Sequence, residues 1–162
     1  MKRFLLIFVF AHVFQSGISQ KTITEEEFMF LDNSTWTGNL MYINYSDGKE
    51  VNIPTELQID INASTLIMKT TYPYEPKANS KSRIKLDIKN NLFGDEKIIE
   101  IGKEEDILKM RTQFKGKDNN KPATMTKTYS LSPSRLQITK EVTYSESGES
   151  LIRNTYTYTK NQ

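Results

Sequence analysis

Apolar and polar residues alternate with a period of two over most of the chain from Thr35 to Thr159, a pattern typical of strands with one buried face. The clearest run sets apolar residues on one parity and polar residues on the other: Val51, Ile53, Leu57, Ile59 and Ile61 against Asn52, Glu56, Gln58 and Asp60. The alternation predicts nine strands, over residues 35–45, 50–61, 64–72, 81–89, 97–101, 107–115, 121–131, 134–144 and 149–159. The fold class is therefore expected to be all-β.

Short polar breaks with turn-forming residues separate most of these strands, for example Asp47-Gly48, Asn119-Asn120 and Ser147-Gly148. No break has the length or the 3.6-residue period of a crossover helix, so an antiparallel arrangement is favoured over a parallel one. We predict an antiparallel up-and-down β-barrel of about eight or nine strands, because closure removes the exposed sheet edges. An open sandwich of two sheets is the alternative.

One short helix is predicted before the first strand. Residues 24–27, Thr-Glu-Glu-Glu, form a capping-box pattern ahead of the apolar stretch Phe28–Leu31. This helix is expected to act as a plug or cap over one end of the sheet.

The N-terminus has the pattern of a secretory signal peptide: two cations, an apolar run from Phe4 to Phe14, then the small residues Gly17 and Ser19. The apolar run is about eleven residues, whereas a membrane-spanning helix needs about 20. We expect a secreted or periplasmic protein whose mature chain has no transmembrane segment. The predicted organisation is a signal peptide over 1–19, an N-terminal segment with the short helix over 20–34, and a barrel domain over 35–162.

Composition narrows the possible chemistry. The chain has 22 Lys and Arg against 20 Asp and Glu, and two of the cations, Lys2 and Arg3, belong to the predicted signal peptide. The mature charge is then balanced, so nucleic-acid binding is not expected. The chain has no cysteine, and its only histidine, His12, lies in the signal peptide. Thiolate and imidazole chemistry and a lipoprotein anchor are thereby excluded from the mature chain, and no catalytic residue, metal site or cofactor is predicted.

The segment "DNSTWTGNL", residues 32–40, resembles the entrance to the first strand in lipocalin-like, or calycin, β-barrels. In those families a tryptophan on the first strand lies at the closed end of the barrel, and an arginine or lysine from near the last strand packs across it. The resemblance implies that Trp36, Gly38 and Arg153 close the barrel, with the guanidinium over the indole. Without the resemblance, Trp36 is an ordinary core residue, Arg153 is a surface residue, and Gly38 marks a bend or a close backbone approach.

The chain departs from the core lipocalin pattern in several places. Ser34 stands where those proteins have a glycine, and the Thr-Asp-Tyr motif, the disulfide and the long C-terminal helix are missing. The chain is therefore more similar to an outlying lipocalin-like protein of a bacterial envelope.

Two lysines interrupt apolar faces of neighbouring predicted strands. Lys127 shares its parity with Tyr129, and Lys140 shares its parity with Ile138 and Val142. Inside a barrel these lysines would meet a ligand carboxylate or phosphate. The alternatives are a β-bulge that turns each lysine outward, or a stem that extends to the rim.

The longest connection, residues 72–80, contains Tyr72, Tyr74 and two prolines. It is predicted either to form the lip of a cavity or to be a stiffened surface loop.

Three functions are consistent with the sequence. The first is an exported barrel that binds or carries a small apolar or amphipathic ligand. The second is a structural or protein-interaction β-domain of the bacterial envelope with a filled core. The third is an enzyme that uses carboxylates or tyrosines, for which the sequence offers no assignable pair.

Overall fold

Ten antiparallel strands follow one another around a closed barrel in the computed structural model, which describes residues 23–162. The strands are β1 (Ser34–Ile43), β2 (Glu50–Asn62), β3 (Thr65–Thr71), β4 (Ser80–Asp87), β5 (Leu92–Phe93), β6 (Glu96–Glu104), β7 (Ile107–Asp118), β8 (Lys121–Leu131), β9 (Arg135–Tyr144) and β10 (Ser150–Lys160). Short 3₁₀ helices cover Glu25–Leu31, Pro76–Ala78 and Ile88–Asn90. The predicted all-β up-and-down barrel with a short N-terminal helix is confirmed.

The strand count differs from the prediction because β5 has only two residues. Asn91 precedes it in the left-handed region at φ 57° and Gly94 follows it at φ 63°, so the chain turns at both ends of the strand. Two residues are too few to show alternation, and the sequence pattern therefore missed this strand.

Residues 1–22, which include the predicted signal peptide, lie outside the described residues. Within residues 23–162, no helix combines the length and apolar character needed to cross a membrane.

The barrel closes where β1 pairs with both β2 and β10. Trp36 lies opposite Leu57 on one side and Lys160 on the other, and Gly38 lies opposite Tyr158. At Gly38 the two backbones approach closely: a β-carbon there would overlap the Thr157 carbonyl and lie 2.7 Å from a ring carbon of Tyr158. Glycine is therefore required for contact between the first strand and the last.

The end of the barrel nearest Trp36, called the helix end below, is covered by the N-terminal 3₁₀ helix. Phe28 and Leu31 of that helix are fully buried in the main core cluster. Its other members are Trp36, Leu57, Ile59, Leu66, Leu86, Ile88, Phe93, Ile98, Leu108, Met110, Tyr129, Leu131, Leu136 and Tyr158. The Trp36 indole donates to the Ser34 hydroxyl (2.8 Å), and Ser34 in turn donates to the Leu31 carbonyl. The capping-box interpretation is wrong, because the Thr24 side chain makes no capping hydrogen bond. The helix is held instead by its apolar face.

The predicted Trp36–Arg153 contact is also wrong. Because β1 and β10 are antiparallel, the start of β1 meets the end of β10, and Trp36 is covered by Lys160 with Nζ 5.6 Å from the ring centroid. Arg153 lies near the start of β10, at the opposite end of the barrel, called the arginine end below. Its guanidinium carbon lies 4.1 Å from the ring centroid of Tyr45. A register shift between Ile152 and Asn154 gives Arg153 its buried position.

Replacing Gly38 with alanine tests the closure. The added methyl has no space against β10, so we expect Gly38→Ala to lower the free energy of unfolding by about 2 kcal/mol or more. Urea unfolding followed by Trp36 fluorescence measures this loss. Gly102→Ala is the matched control, because a β-carbon there meets nothing within 4 Å, and its effect should stay within about 0.5 kcal/mol. Equal effects of the two substitutions would contradict the proposed close approach.

Candidate ligand-binding cavity

The interior of the barrel is filled at both ends and open in the middle. The main core cluster occupies the helix end, and a smaller cluster of Ala123, Met125 and Val142 lies toward the arginine end. Between them is a cavity of about 440 Å³. Its wall combines apolar, hydroxyl and charged side chains: Met68, Thr70, Ser82, Arg83, Ile84, Phe93, Asp95, Glu96, Lys127, Tyr129, Ile138, Lys140, Asn154, Tyr156 and Tyr158, with Gly94 at its edge. This volume falls within the range of small-molecule sites.

Lys127 and Lys140, which the sequence singled out, both line this cavity and are direct cross-strand partners on β8 and β9. The β8–β9 register continues unbroken through both positions, so no bulge turns either lysine outward. The structure therefore brings the two predicted lysines together in one cavity. Their contact with a ligand remains a prediction.

Lys127 already has an internal partner. Its ammonium forms an ion pair with Glu96, and the other oxygen of Glu96 accepts a hydrogen bond from the buried Thr112 hydroxyl. Lys127 also lies 5.2 Å from the ring centroid of Phe114. Burial, reinforced by the negative charge of Glu96, raises the pKa of Tyr129 well above its usual range, so this phenol stays neutral. The charge of Lys127 is thus neutralised within the protein.

Lys140 lacks such a partner. No carboxylate oxygen within residues 23–162 lies within 4.0 Å of its ammonium nitrogen, and its register partner on β10 is the neutral Asn154. A half-buried ammonium without a counter-charge costs free energy, because the side chain loses hydration without gaining an ion pair. Arg83 and Asp95, the other charged groups of the wall besides Glu96 and Lys127, are exposed at the window. Lys140 is therefore the half-buried cation of the cavity that has no ion-pair partner within residues 23–162.

The two predicted tyrosines of the 72–80 loop have different environments. Tyr72 is buried, and its hydroxyl hydrogen-bonds the Tyr156 hydroxyl at 2.8 Å. Burial, together with this hydrogen bond, raises the pKa of Tyr156 above its usual range. Tyr74 is 83% exposed and does not line the cavity. Tyr72 thus supports the wall through Tyr156, while Tyr74 belongs to the outer surface of the loop.

The wall has a gap beside β4, which we call the window. β5 pairs with β4 only at Leu86 and Asp87, and the Gly94 amide adds one bond to the Lys85 carbonyl at 2.8 Å. Within the described chain, no strand pairs with the same edge of β4 over residues 80–84. Because Ser82, Arg83, Gly94 and Asp95 line the cavity at this gap, the window connects the cavity to solvent.

The arginine end is closed by a buried ion pair. Asp118 and Arg153 are 3% and 7% exposed, and the guanidinium donates to the carboxylate at 2.6 Å. Asp118 also accepts from the hydroxyls of Tyr45 (2.6 Å) and Tyr144 (2.7 Å). Burial alone would raise the pKa of Asp118, but these three hydrogen bonds and the arginine charge lower it below its usual value. Together these groups link the β1–β2, β7–β8 and β9–β10 hairpins.

A second, wider depression of about 1650 Å³ lies at the helix end, between residues 23–26 and strands β6, β7 and β8. Exposed charged side chains form much of its wall, and several pair with one another, as Lys109 does with Glu104 and Arg111 with Glu100. We take the central cavity as the candidate site, because its wall brings the sequence-predicted Lys127 and Lys140 together inside the barrel.

The fold and the cavity define the protein as a closed ten-strand antiparallel barrel with an internal, laterally accessible cavity. No family model matches the chain, and no curated protein matches it. Among solved structures it is similar to a protein of unknown function from the DUF3598 family of Nostoc punctiforme, at 11% identity and a TM-score of 0.38. That alignment covers 87% of this chain and 50% of the other, so this chain spans about half the length of that protein.

Several residues of the site were not apparent from the sequence. Glu96 comes shortly after a two-residue strand that the alternation does not show. Asp118 stands directly before Asn119-Asn120 and has the pattern of an ordinary turn residue. Tyr156 has the parity of a buried strand residue, which could have assigned it to the interior. The local sequence does not indicate which residues these side chains contact. Lys127 lies 31 positions from Glu96, and Arg153 lies 35 positions from Asp118.

Removing the arginine tests the closure of this end. Arg153→Met leaves the Asp118 carboxylate buried without its counter-charge, so we expect a loss of about 3–5 kcal/mol in the free energy of unfolding at neutral pH. Urea unfolding measures the loss. The exposed pair Lys109–Glu104 supplies the control, since Lys109→Met should change stability by less than about 1 kcal/mol.

The same ion pair predicts a pH dependence. Because the pKa of Asp118 is lower in the folded chain than in the unfolded chain, its contribution is present above about pH 4 and is lost as the pH falls through the lowered pKa. The stability difference between the parent and Asp118→Asn should therefore shrink in acid. A difference that stays constant from neutral pH to about pH 2 would contradict this assignment of charge.

Proposed function

We propose that the barrel is an exported binding protein that holds a small amphipathic ligand in its central cavity, with the window as the ligand's route of entry. The observation that carries the proposal is the connection between the cavity and the window. The helix end is covered by Phe28 and Leu31, and the arginine end is linked by Arg153 and Asp118. The missing stretch of wall beside β4 then offers the shortest path from solvent to the interior.

The wall favours a ligand with both apolar and polar parts. Met68, Ile84, Phe93 and Ile138 supply apolar surface, while tyrosine hydroxyls and lysine ammonium groups supply polar contacts. A purely structural domain with a filled core is less favoured, because about 440 Å³ of the interior is unfilled. The export part of the proposal depends on the signal-peptide pattern of residues 1–19.

A lipocalin-like relationship is part of the same proposal. The feature that supports it is the cation over the tryptophan of the first strand, contributed by Lys160 of the last strand. The residue differs from the expected Arg153, but a lysine from near the last strand also satisfies the resemblance. Closure by β1–β10 pairing agrees with such a barrel.

Blocking the window tests the proposal. The chain has no cysteine, so Ser82→Cys introduces a single thiol that a polyethylene-glycol maleimide can modify. We expect modification to slow the uptake of the neutral fluorescent probe N-phenyl-1-naphthylamine, measured by stopped-flow fluorescence. The control is Gln137→Cys with the same label, because Gln137 is exposed on the outer face of β9, away from the window. Unchanged uptake after labelling at Ser82 would contradict entry through the window.

Native mass spectrometry of the purified mature protein provides a second readout. We expect a bound small molecule that is released when the protein unfolds. A barrel that carries no such molecule and takes up no probe in either labelled form would contradict the binding function itself.

A further inference from the structure

Two lysines line the cavity in different electrostatic environments, and this difference indicates the kind of ligand. Lys127 and Lys140 lie opposite each other on β8 and β9, but only Lys127 has an ion-pair partner within the described chain, Glu96. Arg83 also lines the cavity but is exposed at the window, so within the described chain Lys140 is the half-buried cation of the interior that has no ion-pair partner. A ligand with one negative charge would balance it.

We infer that the cavity selects an amphiphile with a single anionic head group, and that Lys140 is the residue that binds the head. The inference rests on the proposed binding function and specifies its ligand class. The geometry around Lys140 supports it, because Asn154 lies in register with Lys140 on β10, and both side chains line the cavity together with Tyr156. The Lys140 ammonium and the Asn154 amide supply hydrogen-bond donors for a carboxylate head.

The opposite wall suits the remainder of such a ligand. Met68 of β3 and Ile84 of β4 lie across the barrel from β9, and Phe93 and Ile138 extend the apolar surface toward the helix end. An alkyl chain in contact with these side chains leaves water, whereas the head remains at Lys140. A second anionic group beside Lys127 would find that lysine already neutralised by Glu96, so the half-buried interior favours one charge over two.

The rim of the window carries charge of the same sign as the proposed head receptor. Lys81, Arg83 and Lys85 are exposed on the outer face of β4, and no carboxylate within residues 23–162 forms an ion pair with any of them. These cations raise the local concentration of anions near the opening. The route of entry and the binding position therefore favour the same ligand charge.

Three probes with the same alkyl chain separate charge from apolar contact: octanoate, 1-octanol and octylammonium. Isothermal titration calorimetry of the full mature protein should give the tightest binding for octanoate and the weakest for octylammonium. Higher ionic strength should weaken the binding of octanoate and leave that of octanol unchanged. Octanol binding as tightly as octanoate would overturn the inference while leaving the binding function intact.

Two substitutions in the cavity should act in opposite directions. Lys140→Met removes the free ammonium while keeping much of the stem, and should weaken octanoate binding about tenfold without affecting octanol. Glu96→Gln removes the partner of Lys127, so the cavity gains a second free cation and should bind octanoate more tightly. Opposite changes in one cavity separate an electrostatic effect from a general loss of structure.

Lys115→Met is the matched control, because Lys115 is exposed on β7 outside the cavity. It should leave the affinity for octanoate unchanged. Far-ultraviolet circular dichroism and Trp36 emission verify that each variant folds. If Lys140→Met binds octanoate as tightly as the parent, Lys140 is not the head-group receptor. If all three octyl probes and N-phenyl-1-naphthylamine fail to bind the parent protein, the binding function is also overturned.

Discussion

Hydrogen bonding between the first strand and the last is the interaction on which the rest of the structure depends. It converts a series of hairpins into a tube, so alternate side chains of every strand share one interior. The contact requires Gly38, where the two backbones approach too closely for any side chain. A barrel of eight strands encloses about enough space for its own side chains or one small ligand, and ten strands enclose more. The central cavity is thus a consequence of closure at this strand number.

The interior charges are arranged in two different ways. At the arginine end, Asp118 and Arg153 neutralise each other, and two tyrosine hydroxyls donate hydrogen bonds to the same carboxylate. This arrangement holds three hairpins together. In the cavity Glu96 forms an ion pair with Lys127, whereas the half-buried Lys140 has no ion-pair partner within residues 23–162. The buried pair therefore has a structural role, whereas Lys140 is the residue for which we propose a role in recognition.

Much of this architecture could be predicted from the sequence, and the reasons are local. A period of two reports which residues share a face, so the strands and the inward parity of Lys127 and Lys140 followed from the alternation. What alternation does not report is which residues meet across the barrel. The partners of Lys127 and Arg153 lie on distant strands, and β5 is too short to show a period. The Trp36–Arg153 contact failed because the first residues of β1 must meet the last residues of an antiparallel β10.

The gap beside β4 also affects the behaviour of the protein in concentrated solution. A strand with one unpaired edge presents backbone donors and acceptors on which a second chain could add a strand. Lys81, Arg83 and Lys85 alternate along this strand, so two copies approaching edge to edge would bring like charges together. The same basic residues that border the opening thereby protect the barrel from self-association. This protection is electrostatic and weakens as salt screens the charges. The incomplete wall therefore makes the barrel more prone to self-association at high ionic strength.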